Sequence, residues 1–211
     1  MFRGLYAITD SGLAQDTALE SRVLAALRGG ARVIQYRDKG PDRARRTAEA
    51  TALQALCAGF DVPLIVNDDI ELAATVGAAG VHLGRDDPEI GRARLRLGTR
   101  AVIGVSCYND YPLAEAAAAA GADYVAFGSF FPSSTKPGAV RAGVDLLERA
   151  HASLAVPVVA IGGITPENGR QLVRAGADML AVVQGVFGQP DIEAAARLFA
   201  LLFESDFENE E

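Results

Sequence analysis

Short aliphatic runs alternate with Ala- and Leu-rich segments from one end of this chain to the other, and the alternation recurs eight times. The strand-like runs are Leu5–Thr9, Arg32–Tyr36, Leu64–Asn67, Gly80–Leu83, Ala101–Ser106, Tyr124–Phe127, Val158–Ile161 and Met179–Val183. Each is a brief apolar stretch bounded by turn-forming or polar residues, the pattern of a strand buried on both faces. Between them, apolar residues fall at spacings of three and four, as in Leu19, Val23, Leu24 and Leu27 or Leu146, Leu147 and Ala150. That spacing predicts amphipathic helices packed against a sheet. Gly30-Ala31, Gly77-Ala78, Gly121-Ala122 and Gly176-Ala177 each stand just before a strand, where glycine supplies the left-handed residue that closes a helix. Parallel strands joined by helices, repeated without a linker, predict an α/β fold: a single closed (β/α)8 TIM barrel over residues 1–203. An open doubly wound sheet is the alternative, because periodicity alone does not show closure, although no G-x-G-x-x-G follows the first strand.

Composition removes several classes of function. Half of the 211 residues are hydrophobic, enough for a full core. No run of about eighteen uninterrupted apolar residues occurs and the N-terminus lacks a signal-peptide pattern, so the expectation is a soluble cytoplasmic protein without membrane partners. A formal net charge of -7 argues against nucleic-acid binding. Part of that charge lies in residues 204–211, expected to form a disordered, solvated tail. Cys57 and Cys107 make no disulfide framework and have no ligand-spaced partner, so they read as free thiols.

Two of the strand-like runs stop in acid: Leu64-Ile65-Val66 at Asn67-Asp68-Asp69, and Val81-His82-Leu83 at Gly84-Arg85-Asp86-Asp87. Asp and Asn are poor strand formers and costly inside a core, so they belong at strand ends. On neighbouring strands of one parallel sheet both acids open onto the same rim, where carboxylates can share a hard divalent cation. A barrel of this kind carries its chemistry at the C-terminal strand ends. Strand two delivers Gln35-Tyr36-Arg37-Asp38-Lys39, whose Arg37 and Lys39 share a face toward an anion if the strand continues. Strand five delivers Ser106. Strand six runs into the hydroxyl-rich loop Gly128–Pro137, where Ser133, Ser134, Thr135 and Lys136 could close over a phosphate or diphosphate. Strand seven ends in Ile161-Gly162-Gly163, and paired glycines let a backbone approach a phosphate. Read singly, each segment is also an ordinary turn or linker. His82, alternating with Val81 and Leu83 and lacking a ligand-spaced partner, is expected to be structural.

Together these segments resemble the thiamine phosphate synthase family, which joins the pyrimidine and thiazole halves of thiamin. The resemblance runs from Leu5-Tyr6-Ala7-Ile8-Thr9-Asp10 to Ala181-Val182-Val183. Its most specific parts are Gln35-Tyr36-Arg37-Asp38-Lys39, similar to Q-L-R-x-K; Asn67-Asp68, similar to the family's N-D; Val81–Asp87, similar to V-H-L-G-Q-E-D; and Ser133-Ser134-Thr135-Lys136, similar to T-x-T-K. It implies that Gln35, Arg37, Lys39, Asn67 and Ser106 contact a pyrimidine diphosphate, that Asp68 and Asp87 hold Mg²⁺, and that Ser133, Thr135 and Lys136 meet the diphosphate and the thiazole substrate. Gly163, with the backbone around Val183 and Gln184, would hold the thiazole phosphate. The chain departs from the pattern at Tyr36, Arg85, Asp86, Ser133 and Cys107, and at Gln184, which stands where a serine is expected and would narrow the phosphate pocket. Homo-oligomers are expected from the same resemblance.

The implied reaction displaces diphosphate from a pyrimidine methylene through a carbocation-like species captured by the thiazole nitrogen, with release of CO₂ from a carboxylated thiazole phosphate. Such a route needs charge stabilisation from Mg²⁺, Arg37, Lys39 and Lys136, and no protein nucleophile. The chain offers no Ser-His-Asp set and no Cys beside a His. The rival readings are a thiazole tautomerase, for which Asn67-Asp68, Asp87 and Thr135-Lys136 would be superfluous; a sugar-phosphate isomerase or epimerase, which Gln35-Arg37-Lys39 suits poorly; and a catalytically silent ligand-binding barrel.

Overall fold

A computed structural model of the chain describes residues 2–13, 18–84, 89–132, 138 and 140–204. Its strands are β1 Gly4–Ile8, β2 Val33–Tyr36, β3 Leu64–Asn67, β4 Gly80–Leu83, β5 Val102–Tyr108, β6 Tyr124–Gly128, β7 Val158–Ile161 and β8 Met179–Val182. They pair in parallel in sequence order, and β8 returns to β1 with Gly4 opposite Met179 and Ala7 opposite Val182. The barrel is therefore closed, which excludes the open sheet. The helices are α1 Leu19–Arg28, α2 Arg43–Ala58, α3 Ile70–Val76, α4 Ile90–Leu97, α5 Tyr111–Ala119, α6 Val144–Ser153, α7 Pro166–Arg174, α8 Gln184–Phe187 and α9 Ile192–Leu201. None of these helices is long and apolar enough to cross a membrane.

Strand alternation builds two apolar layers. Tyr6, Ile65, Tyr124, Val159 and Met179 point into the barrel and pack on one another. Their neighbours Leu5, Ile34, Leu64, Val125 and Leu180 point outward and pack beneath the helices. Truncating one such fully buried leucine to alanine typically costs about 2–5 kcal/mol, so the helical shell holds the barrel shut. The four punctuating glycines have positive φ, from 65° at Gly77 to 97° at Gly176, as a left-handed helix end requires.

Strand bounds differ from expectation in two instructive places. β5 runs on to Tyr108, because a register shift between Ser106 and Tyr108 against β6 lets the strand absorb an extra residue. β8 ends at Val182, and Val183 instead caps α8, a single helical turn that the apolar pattern hides because Val183, Val186 and Phe187 continue the run.

The N-terminal end of the barrel is braced by acids. Asp123 Oδ2 accepts from the Ile103 N–H at 2.7 Å and from Arg94 at 2.8 Å, and Asp178 Oδ2 accepts from the Val158 N–H at 2.8 Å. These carboxylates satisfy strand N–H groups where two β-strands begin.

Candidate active site

At the C-terminal ends of the strands a cavity of about 790 Å³ opens into the barrel. Gln35 and Arg37 enter it from β2, Asn67 from β3, Ser106 from β5, Gly163 from the turn after β7, and Val183 and Gln184 from the end of β8. A second hollow of about 430 Å³ adjoins it on the rim and contains Lys39, Asp68 and again Asn67, which lines both. Ser133, Thr135, Lys136 and Asp87 lie outside the described residues.

The floor of the cavity is a buried hydrogen-bond chain. Gln35 Nε2 donates to Tyr6 Oη at 2.7 Å, Tyr6 Oη and Tyr124 Oη are 2.7 Å apart, Tyr124 Oη and His82 Nδ1 are 3.0 Å apart, and His82 Nε2 and Ser106 Oγ are 2.8 Å apart. The Tyr124 ring stacks on His82 and meets Tyr6 edge-on. Burial pushes both phenols well above their ordinary value, so they remain protonated. His82, expected to be structural, is buried in this hydrogen-bond chain and also lines the cavity. Val81 and Leu83 face outward with Ile103 and Ala93, which turns His82 inward, level with Asn67 and Gly104 on the flanking strands. The strand alternation that made His82 look structural is the signal that places it in the site. Tyr6 and Tyr124 were invisible to motif reading because their partners come from other strands.

Room for Tyr124 is made by Gly104. A Cβ there would lie 1.9 Å from Tyr124 Cζ, so only glycine lets the phenol cross beneath β5 toward His82.

The rim is built differently. β2 stops at Tyr36, so Arg37 and Lys39 do not share a strand face; they diverge into the cavity and the adjoining hollow respectively. The Arg37 N–H donates to Thr9 Oγ1 at 2.9 Å, and buried Asp38 accepts from the Gly40 N–H at 2.6 Å and from Arg45, which fixes the loop. Asp68 has φ of 64°, uncommon outside glycine, with its N–H donated to His82 O at 2.9 Å. The left-handed turn swings its carboxylate out of strand phase to a point 3.2 Å from Lys39 Nζ. Asp69 is already committed: it caps α3 through the Leu72 N–H and pairs with Arg46 at 2.9 Å.

The Gly162-Gly163 turn has φ values of 104° and 64°. A Cβ on Gly162 would lie 2.2 Å from Ser129 Oγ, and one on Gly163 2.2 Å from Pro132 O, so the turn admits no side chain. Thr165 and Asn168 form a capping box at the start of α7, and Asn168 Nδ2 donates to Gly163 O at 3.1 Å. Across the mouth, Gln184 lies exposed on the cavity rim, its amide oxygen against Gly188, so its bulk is spent along α8.

The arrangement suits charge stabilisation better than covalent catalysis. Cys57 and Cys107 are buried free thiols, pushed up to about 12 by desolvation, so neither is a thiolate at neutral pH. For a hard cation, the rim supplies the Asp68 carboxylate, paired with Lys39 at 3.2 Å, beside the Asn67 amide; no three His, Cys, Asp or Glu among the described residues converge on one point. That fits Mg²⁺, which keeps several waters and typically takes one or two carboxylates together with substrate phosphates.

Comparison with known proteins gives a consistent result. The profile of the family described as Thiamine monophosphate synthase matches residues 5–186. A thiamine-phosphate synthase of Marinobacter nauticus is 56% identical over 198 residues, covering 93% of this chain and 89% of that protein. One from Nitrosococcus oceani is 53% identical over 203 residues, covering 96% and 94%. Among solved structures, a thiamine phosphate pyrophosphorylase from Pyrococcus furiosus superposes with a TM-score of 0.87 at 33% identity, covering 95% of each chain.

Proposed function

The chain belongs to the thiamine monophosphate synthase family and is a transferase, and from that premise we propose how its residues divide the reaction between them. The reaction couples 4-amino-2-methyl-5-hydroxymethylpyrimidine diphosphate with a thiazole phosphate to give thiamine phosphate and diphosphate. Gln35, Asn67 and Ser106 hold the aminopyrimidine in the cavity. Arg37 and Lys39, with Ser133, Thr135 and Lys136, face the diphosphate. The side-chain-free turn at Gly163 and the backbone at Val183 and Gln184 receive the thiazole phosphate; a phosphate site after strands seven and eight beside a short extra helix is common in such barrels. The observation that carries this division is the shared mouth: residues from β2, β3, β5, β7 and β8 line one cavity, and Asn67 joins it to the acid-bearing rim.

Chemistry follows from charge. The bond from the pyrimidine methylene carbon to the diphosphate oxygen breaks, and its electron pair leaves with diphosphate. The cation left behind is delocalised into the aminopyrimidine ring. The thiazole nitrogen then donates its lone pair to that carbon; where the thiazole carries a carboxylate, CO₂ departs, the C–C bonding pair stays on the ring carbon, and a proton from water is taken up there to give thiamine phosphate. Arg37, Lys39 and Lys136 hold the leaving group where negative charge develops, an interaction worth about 2.7–4 kcal/mol per well-placed donor. Asp68 with Asp87 would hold Mg²⁺, which when bound supplies further neutralisation of the diphosphate. No side chain needs to act as nucleophile, in keeping with the two protonated thiols. The absence of a membrane-length helix among the described residues and the biosynthetic character of the relatives support a cytoplasmic enzyme.

The test is incubation with the pyrimidine diphosphate and either the carboxylated or the decarboxylated thiazole phosphate, with and without Mg²⁺, following thiamine phosphate by mass spectrometry. Product that depends on both substrates and on the metal is expected. Ligand binding without diphosphate release would leave only a binding barrel.

A further inference from the structure

The floor chain has a direction that its proton inventory dictates. Gln35 Nε2 is a donor, so Tyr6 Oη accepts from it. If Tyr124 also donated to Tyr6, the Tyr6 proton would have no acceptor among the described residues, at a side chain only 1% exposed whose two hydrogen bonds are to Gln35 and Tyr124. Tyr6 therefore donates to Tyr124, and Tyr124 spends its own proton on His82 Nδ1. That leaves His82 with its proton on Nε2, donated to Ser106 Oγ. At each end one group is then left over for the cavity. Ser106 accepts from His82 and keeps its hydroxyl proton for a ligand. Gln35 spends an amide proton on Tyr6, and among the described residues no group donates to its carbonyl oxygen.

We infer that Tyr6, Tyr124 and His82 are positioning residues that form a one-way relay, locking His82 as the Nε2–H tautomer and so presenting Ser106 as a donor and Gln35 as an acceptor to the aminopyrimidine. The inference rests on the reading that this cavity holds the pyrimidine diphosphate. A 4-aminopyrimidine matches such a pair, with ring nitrogens that accept and an exocyclic amino group that donates. The corresponding 4-oxo pyrimidine carries the opposite pattern along that edge, a ring N–H and a carbonyl oxygen, and would leave buried groups unpaired. The relay thus acts as a specificity device: it decides which way the hydroxyl of Ser106 points before any substrate arrives. Gly104 belongs to the same device, because its missing side chain is what lets Tyr124 reach His82.

Nitrogen-15 NMR on histidine-labelled protein reads the tautomer directly, and with only His82 and His151 in the chain the buried signal is assignable through a His151→Gln control. The wild type should show His82 protonated on Nε2 and bare on Nδ1, without substrate. In Tyr124→Phe, which removes one oxygen and keeps the packed ring, the Nδ1–H form should appear. In parallel, KM for the aminopyrimidine diphosphate should rise about tenfold while KM for the thiazole phosphate stays unchanged, and discrimination against the 4-oxo analogue should shrink by a similar factor. A wild-type His82 carrying its proton on Nδ1 overturns the relay outright. So does a Tyr124→Phe protein with the wild-type tautomer and unaltered discrimination. Because the NMR measurement needs no turnover, it judges the relay even if the proposed division of the reaction fails; a correct tautomer in a protein that makes no thiamine phosphate would indict the function and leave the relay standing.

Discussion

At the N-terminal end of the barrel, Asp123 and Asp178 turn inward onto the chain itself, each accepting a backbone N–H from the start of a neighbouring strand. At the C-terminal end, Asp68 sits in a left-handed turn that carries its carboxylate out toward Lys39 and the hollow between them and Arg92. The same residue type beside the same kind of strand thus has opposite tasks. At the first end an acid closes an account of unsatisfied donors; at the second, backbone strain is tolerated to hold an acid in the open. What decides between them is which end of the strand the acid occupies, because only the C-terminal ends surround the cavity.

That contrast is open to attack from both sides. The largest effect is expected for the lysine proposed to hold the leaving group: Lys136→Ala should lower turnover about a hundredfold or more, with an unchanged circular dichroism spectrum and melting curve. Near-normal single-turnover rates in that variant would remove Lys136 from the chemistry. At the opposite end, Asp178→Ala leaves the buried Val158 N–H without its side-chain acceptor and should reduce stability to urea by about 1–3 kcal/mol, while KM for both substrates holds. A kinetic defect without a stability defect would erase the distinction between the two ends. The smallest effect concerns the pair Lys39 and Asp68, whose side chains are 63% and 31% exposed. A double-mutant cycle on folding should return a coupling below about 1 kcal/mol, because an exposed ion pair is nearly repaid by solvation. A larger coupling would make the pair structural and weaken its assignment to ligand binding.

The barrel itself was legible from the chain. The alternation of strand-like runs with helical spacing, punctuated by Gly30, Gly77, Gly121 and Gly176, is a local signal, and local signals survive without knowledge of neighbours. The turn at Gly162-Gly163 was equally readable, since a paired glycine states a backbone requirement in its own composition. What the sequence withheld was lateral. Arg37 and Lys39 were expected on one face, but β2 ends at Tyr36, whose hydroxyl donates to Glu49 on α2 at 2.6 Å and ties the strand end to the helix. α8 was hidden by the apolar continuity of Val183, Val186 and Phe187. The floor chain needs five strands in register at once: Tyr6, Gln35, His82, Ser106 and Tyr124 lie far apart in the sequence and meet only because the barrel closes.

The notch left by Gly104 has a practical meaning for anyone who wishes to reshape this enzyme. Alanine at that position would strike the phenol of Tyr124 at 1.9 Å and evict it, so the two sites form a single unit of variation. A mutational library aimed at bulkier pyrimidines should therefore draw on positions 104 and 124 as pairs. Scanned by itself, position 104 would be scored as intolerant of any side chain, and the productive combinations would never be sampled.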